Sequence, residues 1–264
     1  METTTKAWLN VVFLLITLAI NAMGVAGTIN GVSQADISDM FLTLITPSPF
    51  AFSIWSLIYI TLISSVIVML VKVKQQDEYY LKVVDDISVL FWISCVFNIG
   101  WMVLFSFILI ELSVLPIIGL VITLAVILMK LLKNHEAKRW LLPLSFGIYT
   151  GWLFIATVVN IAAALVKMNW NGFGLGESVW AVVILLIAGA LIILVQLRNR
   201  NAIFPLPVAW AYFGIYQFLI SPDGFNGQYG IVQVVSLIGM AILIGASAIQ
   251  LYRNKFRLLV GEKE

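Results

Sequence analysis

Charged residues are scarce in this chain of 264 residues. Asp, Glu, Lys and Arg together make up 11% of the sequence, and hydrophobic residues make up 62%, whereas soluble domains average about 25% charged residues. This composition excludes a soluble globular protein. Apolar runs of about 20 residues, the length that crosses the hydrocarbon core of a bilayer, recur along the whole sequence.

Residues that hold metals or carry out acid–base chemistry are also few. The chain has one histidine and one cysteine, and Cys95 lies inside an apolar run without a second cysteine to pair with. A metal site needs several histidine, cysteine or carboxylate ligands together, and the sequence offers no such cluster. The middles of the apolar runs also lack the charged residues that ion-coupled transporters and pumps use there. The sequence therefore predicts no metal site and no Ser-His-Asp hydrolase.

Eight apolar runs predict an all-α integral membrane protein with about eight transmembrane helices. The runs cover residues 7–28, 50–71, 87–110, 113–132, 141–166, 178–197, 202–220 and 229–251. Each run is expected to be helical, because lipid offers no hydrogen-bond partners to free backbone groups. The seventh run is the shortest and the most polar.

Basic residues divide the connecting segments into two groups. If the chain crosses eight times, one side holds Lys6, Lys72, Lys74, Lys82, Lys130, Lys133, Lys138, Arg139, Arg198, Arg200, Arg253, Lys255, Arg257 and Lys263, and the other side holds only Lys167. Positive residues concentrate in cytoplasmic loops, so the pattern predicts that both termini are cytoplasmic. Such loops suit a lipid bilayer, and we expect no nucleic-acid partner.

Three of the runs carry aromatic and amide residues at helical spacing. The sets are Phe52, Trp55 and Tyr59 in the second run, Asn98, Trp101 and Phe105 in the third, and Tyr149, Trp152, Ala156 and Asn160 in the fifth. Each set covers only about 80° of its helix at 100° per residue. An amide in hydrocarbon needs a partner, so these faces should point into the bundle. They predict either an apolar small-molecule pocket with a few polar groups or ordinary helix packing.

These motifs resemble those of the translocator protein family, also called TspO/MBR or tryptophan-rich sensory proteins. The stretch Pro-Ser-Pro-Phe-Ala-Phe-Ser-Ile-Trp-Ser-Leu-Ile-Tyr at 47–59 is similar to the start of the family's second helix. The third-run and fifth-run sets are similar to its third-helix and fifth-helix motifs, in the same order. Two departures occur in the fifth run: Pro143 lies six residues before Tyr149 instead of next to it, and Ile155 replaces a phenylalanine.

The resemblance covers residues 1–168, a five-helix TspO/MBR-like unit, and leaves three additional helices in residues 169–264. It implies a membrane-embedded binding or sensory protein for a hydrophobic small-molecule ligand, either sterol-like or a tetrapyrrole (porphyrin), with no required cofactor. By residue match, Trp55, Asn98, Trp101, Trp152 and Ala156 would line the site. We therefore expect residues 1–168 to contain the recognition chemistry.

In the family, the loop after the first helix covers the ligand cavity. Here the corresponding segment, residues 29–48, contains Met40, Phe41, Leu42, Leu44 and Ile45. These residues predict either an apolar lid or an amphipathic segment that lies on the membrane surface.

A transporter of small hydrophobic solutes is the alternative function, with eight helices supplying alternating access. Transporters often show internal repeats and paired helix interruptions, and the sequence shows neither. Weak porphyrin degradation is a third possibility that the resemblance leaves open, although no acid–base set is present to support an enzyme. A homodimer is also left open, and the expected location is a bacterial cell membrane.

Overall fold

The structure is a computed structural model that describes residues 1–133 and 139–258, apart from the side chain of Asn199. Lys138 and Lys263, which were counted among the basic residues, lie outside the described residues. Within them the chain is helical and contains no strand. The helices are α1 (Thr3–Val25), α2 (Gln34–Met40), α3 (Ile54–Lys74), α4 (Glu78–Ser106), α5 (Ile110–Lys133), α6 (Leu141–Lys167), α7 (Glu177–Asn199), α8 (Leu206–Ile220) and α9 (Gly230–Arg253).

Seven of these helices are long and apolar enough to cross a membrane, namely α1, α3, α4, α5, α6, α7 and α9. The prediction of an all-α membrane protein is confirmed. The seventh apolar run differs from the others, because only its second part is helical. With 15 residues, α8 is about 22 Å long, which is shorter than the roughly 30 Å of a bilayer core.

The residues before α8 enter the bundle as a non-helical segment, 201–205. This segment lies against two glycines of α6: a Cβ on Gly147 would stand 2.9 Å from Asn201 Nδ2, and a Cβ on Gly151 would stand 2.5 Å from Phe204 O. Both backbone groups of Ala202 in this segment are hydrogen-bonded, since its N–H donates to Leu258 O at 3.1 Å and its carbonyl accepts from the Ser247 hydroxyl. Irregular backbone is tolerated at membrane depth where protein covers it and satisfies its polar groups.

The helices α7 and α9 run parallel and pack on each other, and α8, which follows α7 in the chain, packs mainly against α9. Near one end, Gln196 Nε2 of α7 donates to Ala246 O of α9 at 3.0 Å. Near the middle, the Tyr212 hydroxyl of α8 donates to Leu185 O of α7 at 2.5 Å. Because α7 and α9 point the same way, the chain must return from one end of the bundle to the other between them. The helix α8, together with the segments on either side of it, makes this return.

Ion pairs show which helix ends lie together. At one end, here named the basic face, Lys6 lies 2.6 Å from Asp85 and Arg139 lies 2.9 Å from Asp77. The hydrogen-bonded Arg139 guanidinium holds the pKa of the Asp77 carboxyl below its usual range. At the other end, the opposite face, Lys167 lies 2.6 Å from Glu111. The pairs join the start of α1 to α4, the start of α6 to the start of α4, and the end of α6 to the start of α5.

Packing divides the bundle around α4 and α6. The helix α4 packs against α1 and α5, and α6 packs against α3, α5 and α8. The helix α7 contacts mainly α9. The C-terminal helices are therefore joined to the first five membrane helices chiefly through α8, where Gly151 allows close approach.

Candidate ligand-binding site

A small cavity lies between α3, α4 and α6 near the opposite face, beneath α2. Its volume is about 50 Å³. Seven of the predicted site residues line it: Phe52, Trp55, Trp101, Phe105, Trp152, Ala156 and Asn160. The three aromatic and amide sets therefore meet in one place. This agrees with the prediction that these helix faces point into the bundle.

A cluster of aromatic rings forms part of the cavity wall, and Trp55 contacts two of the others. The Trp55 ring lies nearly parallel to that of Trp101, with centroids 6.3 Å apart and 24° between planes. Trp152 meets Trp55 edge-to-face at 6.4 Å and 84°, and Phe52 meets Trp152 in the same way at 6.1 Å. Aromatic faces of this kind suit a flat conjugated ring, which stacks on one face and meets the edge of another.

Three predicted site residues, Tyr59, Asn98 and Tyr149, lie next to the cavity but do not line it. Asn98 is fully buried and connects three helices, because it accepts from Asn21 Nδ2 at 2.6 Å and donates to the Tyr149 hydroxyl at 2.9 Å. Tyr59 stacks on Trp55 with centroids 5.3 Å apart. The residue match implied that Asn98 lines the site, and the structure instead places it in a network that joins α1, α4 and α6. Ligand contact by these three residues stays a prediction.

A second polar bridge fixes the orientation of Trp101. Its indole Nε1 donates to Asn160 Oδ1 at 3.2 Å, and Asn160 Nδ2 donates to the Ser113 hydroxyl at 3.0 Å. The bridge links α4, α5 and α6. Asn160 thus borders the cavity with both polar atoms already engaged, so its main effect is to hold the Trp101 ring against Trp55.

Trp152 Nε1 is the polar atom of the wall that has no acceptor among the described residues. The Trp152 side chain is buried, and leaving such an N–H without an acceptor costs about 1–3 kcal/mol. Gln34 also borders the cavity, is mostly buried, and makes no side-chain hydrogen bond within the described part of the chain. Among the described residues, the cavity therefore combines apolar ring faces with one unpaired indole donor, on Trp152, and one unpaired side-chain amide, on Gln34.

The helix α2 covers this cavity, so the segment 29–48 acts as a cover. The helix begins with a reciprocal capping box: Ser33 Oγ accepts from the Asp36 N–H at 3.2 Å, and the Asp36 carboxylate accepts from the Ser33 N–H at 3.3 Å. Ile37 is fully buried and borders the cavity together with Phe41. Of the other apolar residues predicted for the lid, Leu44 and Ile45 are buried, whereas Met40 and Leu42 are exposed. Sequence reasoning missed Ile37, although the capping box marked the start of a helix there.

The helix α8 also contributes to the site. Ala211 borders the cavity, Trp210 Nε1 donates to Ala51 O at 2.9 Å, and the Ser48 N–H donates to Gly214 O at 3.0 Å. These bonds hold the segment just before α3, which positions Trp55. Residues after 168 therefore also border the cavity, and the expectation that residues 1–168 contain the recognition chemistry stays a prediction.

A family model described as TSPO-like protein matches residues 7–249. The chain belongs to the TSPO-like protein family. The match continues through α7, α8 and most of α9, so these helices fall within the region that the TSPO-like family model covers. Comparison with curated proteins found no match, and comparison with solved structures found none either.

Membership of the TSPO-like family implies a membrane-embedded ligand-binding or sensory role. The motif residues of the second, third and fifth membrane helices of this TSPO-like protein come together around one cavity. Their arrangement suits binding by ring contact, with hydrogen bonding at Trp152 Nε1 and at the Gln34 amide.

Proposed function

We propose that this TSPO-like protein binds flat hydrophobic ligands of the tetrapyrrole type in the cavity beneath α2 and acts as a membrane-embedded sensor of them. The observation that carries the proposal is the arrangement of Trp55, Trp101 and Trp152, two rings nearly parallel and the third edge-on. Trp152 Nε1 adds a requirement on the ligand, which should present a hydrogen-bond acceptor. A porphyrin carboxylate or a sterol oxygen meets that requirement.

Binding requires a change in the cover of the site. A cavity of about 50 Å³ holds one or two water molecules, whereas sites for drug-sized ligands occupy about 300–1,000 Å³. The seven-residue helix α2 is too short to be stable alone and depends on the burial of Ile37. A ligand that enters must displace α2, and this displacement changes the surface of the opposite face. A sensor needs such a link, in which ligand binding in the cavity changes a surface that other molecules can contact.

Substitution of the cavity tryptophans tests the proposal. Trp55→Ala and Trp152→Ala should each weaken protoporphyrin affinity by about 1–3 kcal/mol, taking base–aromatic stacking as a guide. Trp152→Phe keeps a ring but removes the N–H, and we expect a loss of about 1 kcal/mol. Affinity is measured by quenching of tryptophan fluorescence in purified protein, and thermal unfolding confirms that each variant is folded.

Trp180→Ala is the matched control for these variants. Trp180 lies outside the cavity, in a separate cleft of about 370 Å³ that it lines with Trp170 between α6 and α7. Its substitution should leave porphyrin affinity unchanged. Equal affinity in all folded variants would contradict the proposed site, and a loss confined to Trp180→Ala would move the site to that cleft.

A transporter of small hydrophobic solutes is the second candidate. The short helix α8 favours it, because its 15 residues do not span a bilayer core alone and short helices that begin within the bundle are a feature of transporters. Proteoliposomes separate the two functions. A binding protein retains porphyrin in proportion to the number of sites, whereas a transporter delivers it into the lumen in amounts that grow with lumen volume.

We also propose that both termini lie in the cytoplasm of a bacterial cell and that α2 faces outward, following the placement of the basic residues. Single cysteines at the exposed positions Ala35 and Gln75 test this, because the native Cys95 is buried. A membrane-impermeant maleimide added to intact cells should label Ala35→Cys and leave Gln75→Cys unlabelled until the cells are opened. The reverse pattern would invert the orientation.

A further inference from the structure

A second polar feature lies at the basic face, at the far end of the bundle from the aromatic cavity. The ends of α7 and α9 border a cavity of about 700 Å³. Its lining residues are Leu197, Arg200, Gln250, Arg253, Asn254, Lys255 and Arg257. Four of these seven described residues are basic and none of the seven is acidic, which gives the described part of the lining a positive charge.

Three of these cations have no acidic partner in the part of the chain that the structure describes. Arg200, Arg253 and Lys255 form no ion pair among the described residues, whereas Lys6 and Arg139 at the same face each contact an aspartate. Like charges around one cavity repel each other, and an anion between them removes that repulsion. The arrangement therefore favours an occupant with negative charge.

The polar floor of the cavity is built and mostly buried. Gln250 Nε2 donates to Asn254 Oδ1 at 2.8 Å, and Asn254 Nδ2 donates to Arg200 O at 2.8 Å. The Gln250 side-chain carbonyl accepts no hydrogen bond within the described part of the chain, so it can accept one from a ligand hydroxyl. The segment before α8 is attached next to this cavity, since the Ala202 N–H donates to the carbonyl of Leu258, the residue after Arg257.

Backbone conformation also places cations at the cavity. Arg200 and Lys255 have φ values of +48° and +54°, in the left-handed region where glycine or asparagine is favoured. Here the positions that end α7 and follow α9 carry long basic side chains instead. Sparsely populated backbone conformations of this kind concentrate at functional sites.

Exposed aromatic residues place the cavity at the membrane surface. Tyr252 and Phe256 are 73% and 76% exposed, and their rings meet edge-to-face at 6.2 Å. Aromatic side chains prefer the interface between headgroups and acyl chains. The basic cavity beside them is therefore at the depth of lipid phosphates.

We propose that this basic cavity binds the headgroup of an anionic phospholipid that carries both a phosphate and a hydroxyl, such as phosphatidylglycerol. Arg200, Arg253 and Lys255 contact the phosphate, and the Gln250 carbonyl accepts from the headgroup hydroxyl. Basic pockets between membrane helices are suited to this recognition. A soluble phosphorylated compound presents the same groups, so the test separates the two sources.

Titration of the purified full-length protein with short-chain phosphatidylglycerol, short-chain phosphatidylcholine and glycerol phosphate tests the proposal. Native protein should bind phosphatidylglycerol more tightly than the other two. The double variant Arg200→Gln/Arg253→Gln should lose roughly thirtyfold in affinity for phosphatidylglycerol. Equal binding of glycerol phosphate and the lipid would overturn the lipid assignment in favour of a soluble ligand.

Two further variants separate a site from general attraction to a basic surface. Lys130→Gln/Lys133→Gln removes the same charge from the end of α5, outside the cavity, and should change the affinity by less than about twofold. Gln250→Leu should weaken phosphatidylglycerol but not phosphatidic acid, which lacks the headgroup hydroxyl. Equal losses in the two double variants would overturn the proposal. Porphyrin binding should be the same in all of them, so the result does not depend on the proposed function.

Discussion

Gly214→Ala is expected to lower both the stability and the ligand affinity of the protein, although Gly214 lies outside the five-helix unit. A Cβ at this position would stand 2.6 Å from Ala51 Cβ and 3.2 Å from Pro47 Cβ. Because both neighbours are tied closely to the backbone, α8 must move away from the segment before α3. That movement strains the bond from Ser48 N–H to Gly214 O. Overpacking of this kind costs about 1–3 kcal/mol.

Thermal unfolding in detergent and porphyrin titration measure the two effects of Gly214→Ala. Gly245→Ala in α9 is the matched control, because nothing lies within 4 Å of the added Cβ. Its stability should stay equal or rise by about 0.5–1 kcal/mol, as expected when alanine replaces an unconstrained helical glycine. If the Gly214→Ala variant has the same unfolding temperature and the same porphyrin affinity as the native protein, α8 does not position Trp55.

Asn98→Leu is expected to lower stability strongly and porphyrin affinity only slightly. The substitution leaves Asn21 Nδ2 without its partner in α4 and leaves the Tyr149 hydroxyl without its donor. Hydrogen bonds between membrane helices contribute about 0.6 kcal/mol on average. Asn21 Nδ2 keeps its bond to Thr17 O, but the buried Tyr149 hydroxyl is left unpaired, which raises the cost to about 1–3 kcal/mol. The loss in affinity should be smaller than for Trp55→Ala, because Asn98 does not line the cavity.

The same two measurements separate packing from ligand contact at Asn98. Ser64→Ala is the control, since the hydroxyl of the half-buried Ser64 bonds to Ile60 O of its own helix and to no other described residue. It should leave both quantities unchanged. A stable Asn98→Leu protein with greatly weakened porphyrin binding would instead make Asn98 a direct ligand contact.

The sequence predicted that these side chains face the bundle interior. It did not predict which of them line the cavity and which bond to a neighbouring helix. Asn98, Asn160 and the tryptophans had to face inward, because an amide has no partner in lipid. Whether each residue then lines a cavity or bonds to a neighbouring helix depends on helix rotation and separation, which spacing within one helix does not contain. Thus Asn160 borders the cavity while Asn98 lies outside its lining.

The role of α8 was missed for a different reason. Its bonds use backbone atoms, such as the carbonyls of Ala51 and Gly214, and its close contacts use glycines. Neither leaves a side-chain pattern, since a backbone carbonyl is present at every residue and a glycine that permits close approach looks like any other. Ile37 was missed because a seven-residue helix offers too few positions for a periodic signal.

The short helix α8 also constrains the order in which the protein matures. Its 15 residues are too few to settle across a bilayer alone, and the segment before it bonds to Ser247 and Leu258, which are synthesised later. During translation, α8 therefore has no stable position until α9 has left the ribosome. Because α8 supports Trp55 through Ala51, the binding site is completed last. A chain truncated within α9 would therefore lack a completed cavity, although the residues that line the cavity lie far from the truncation in sequence.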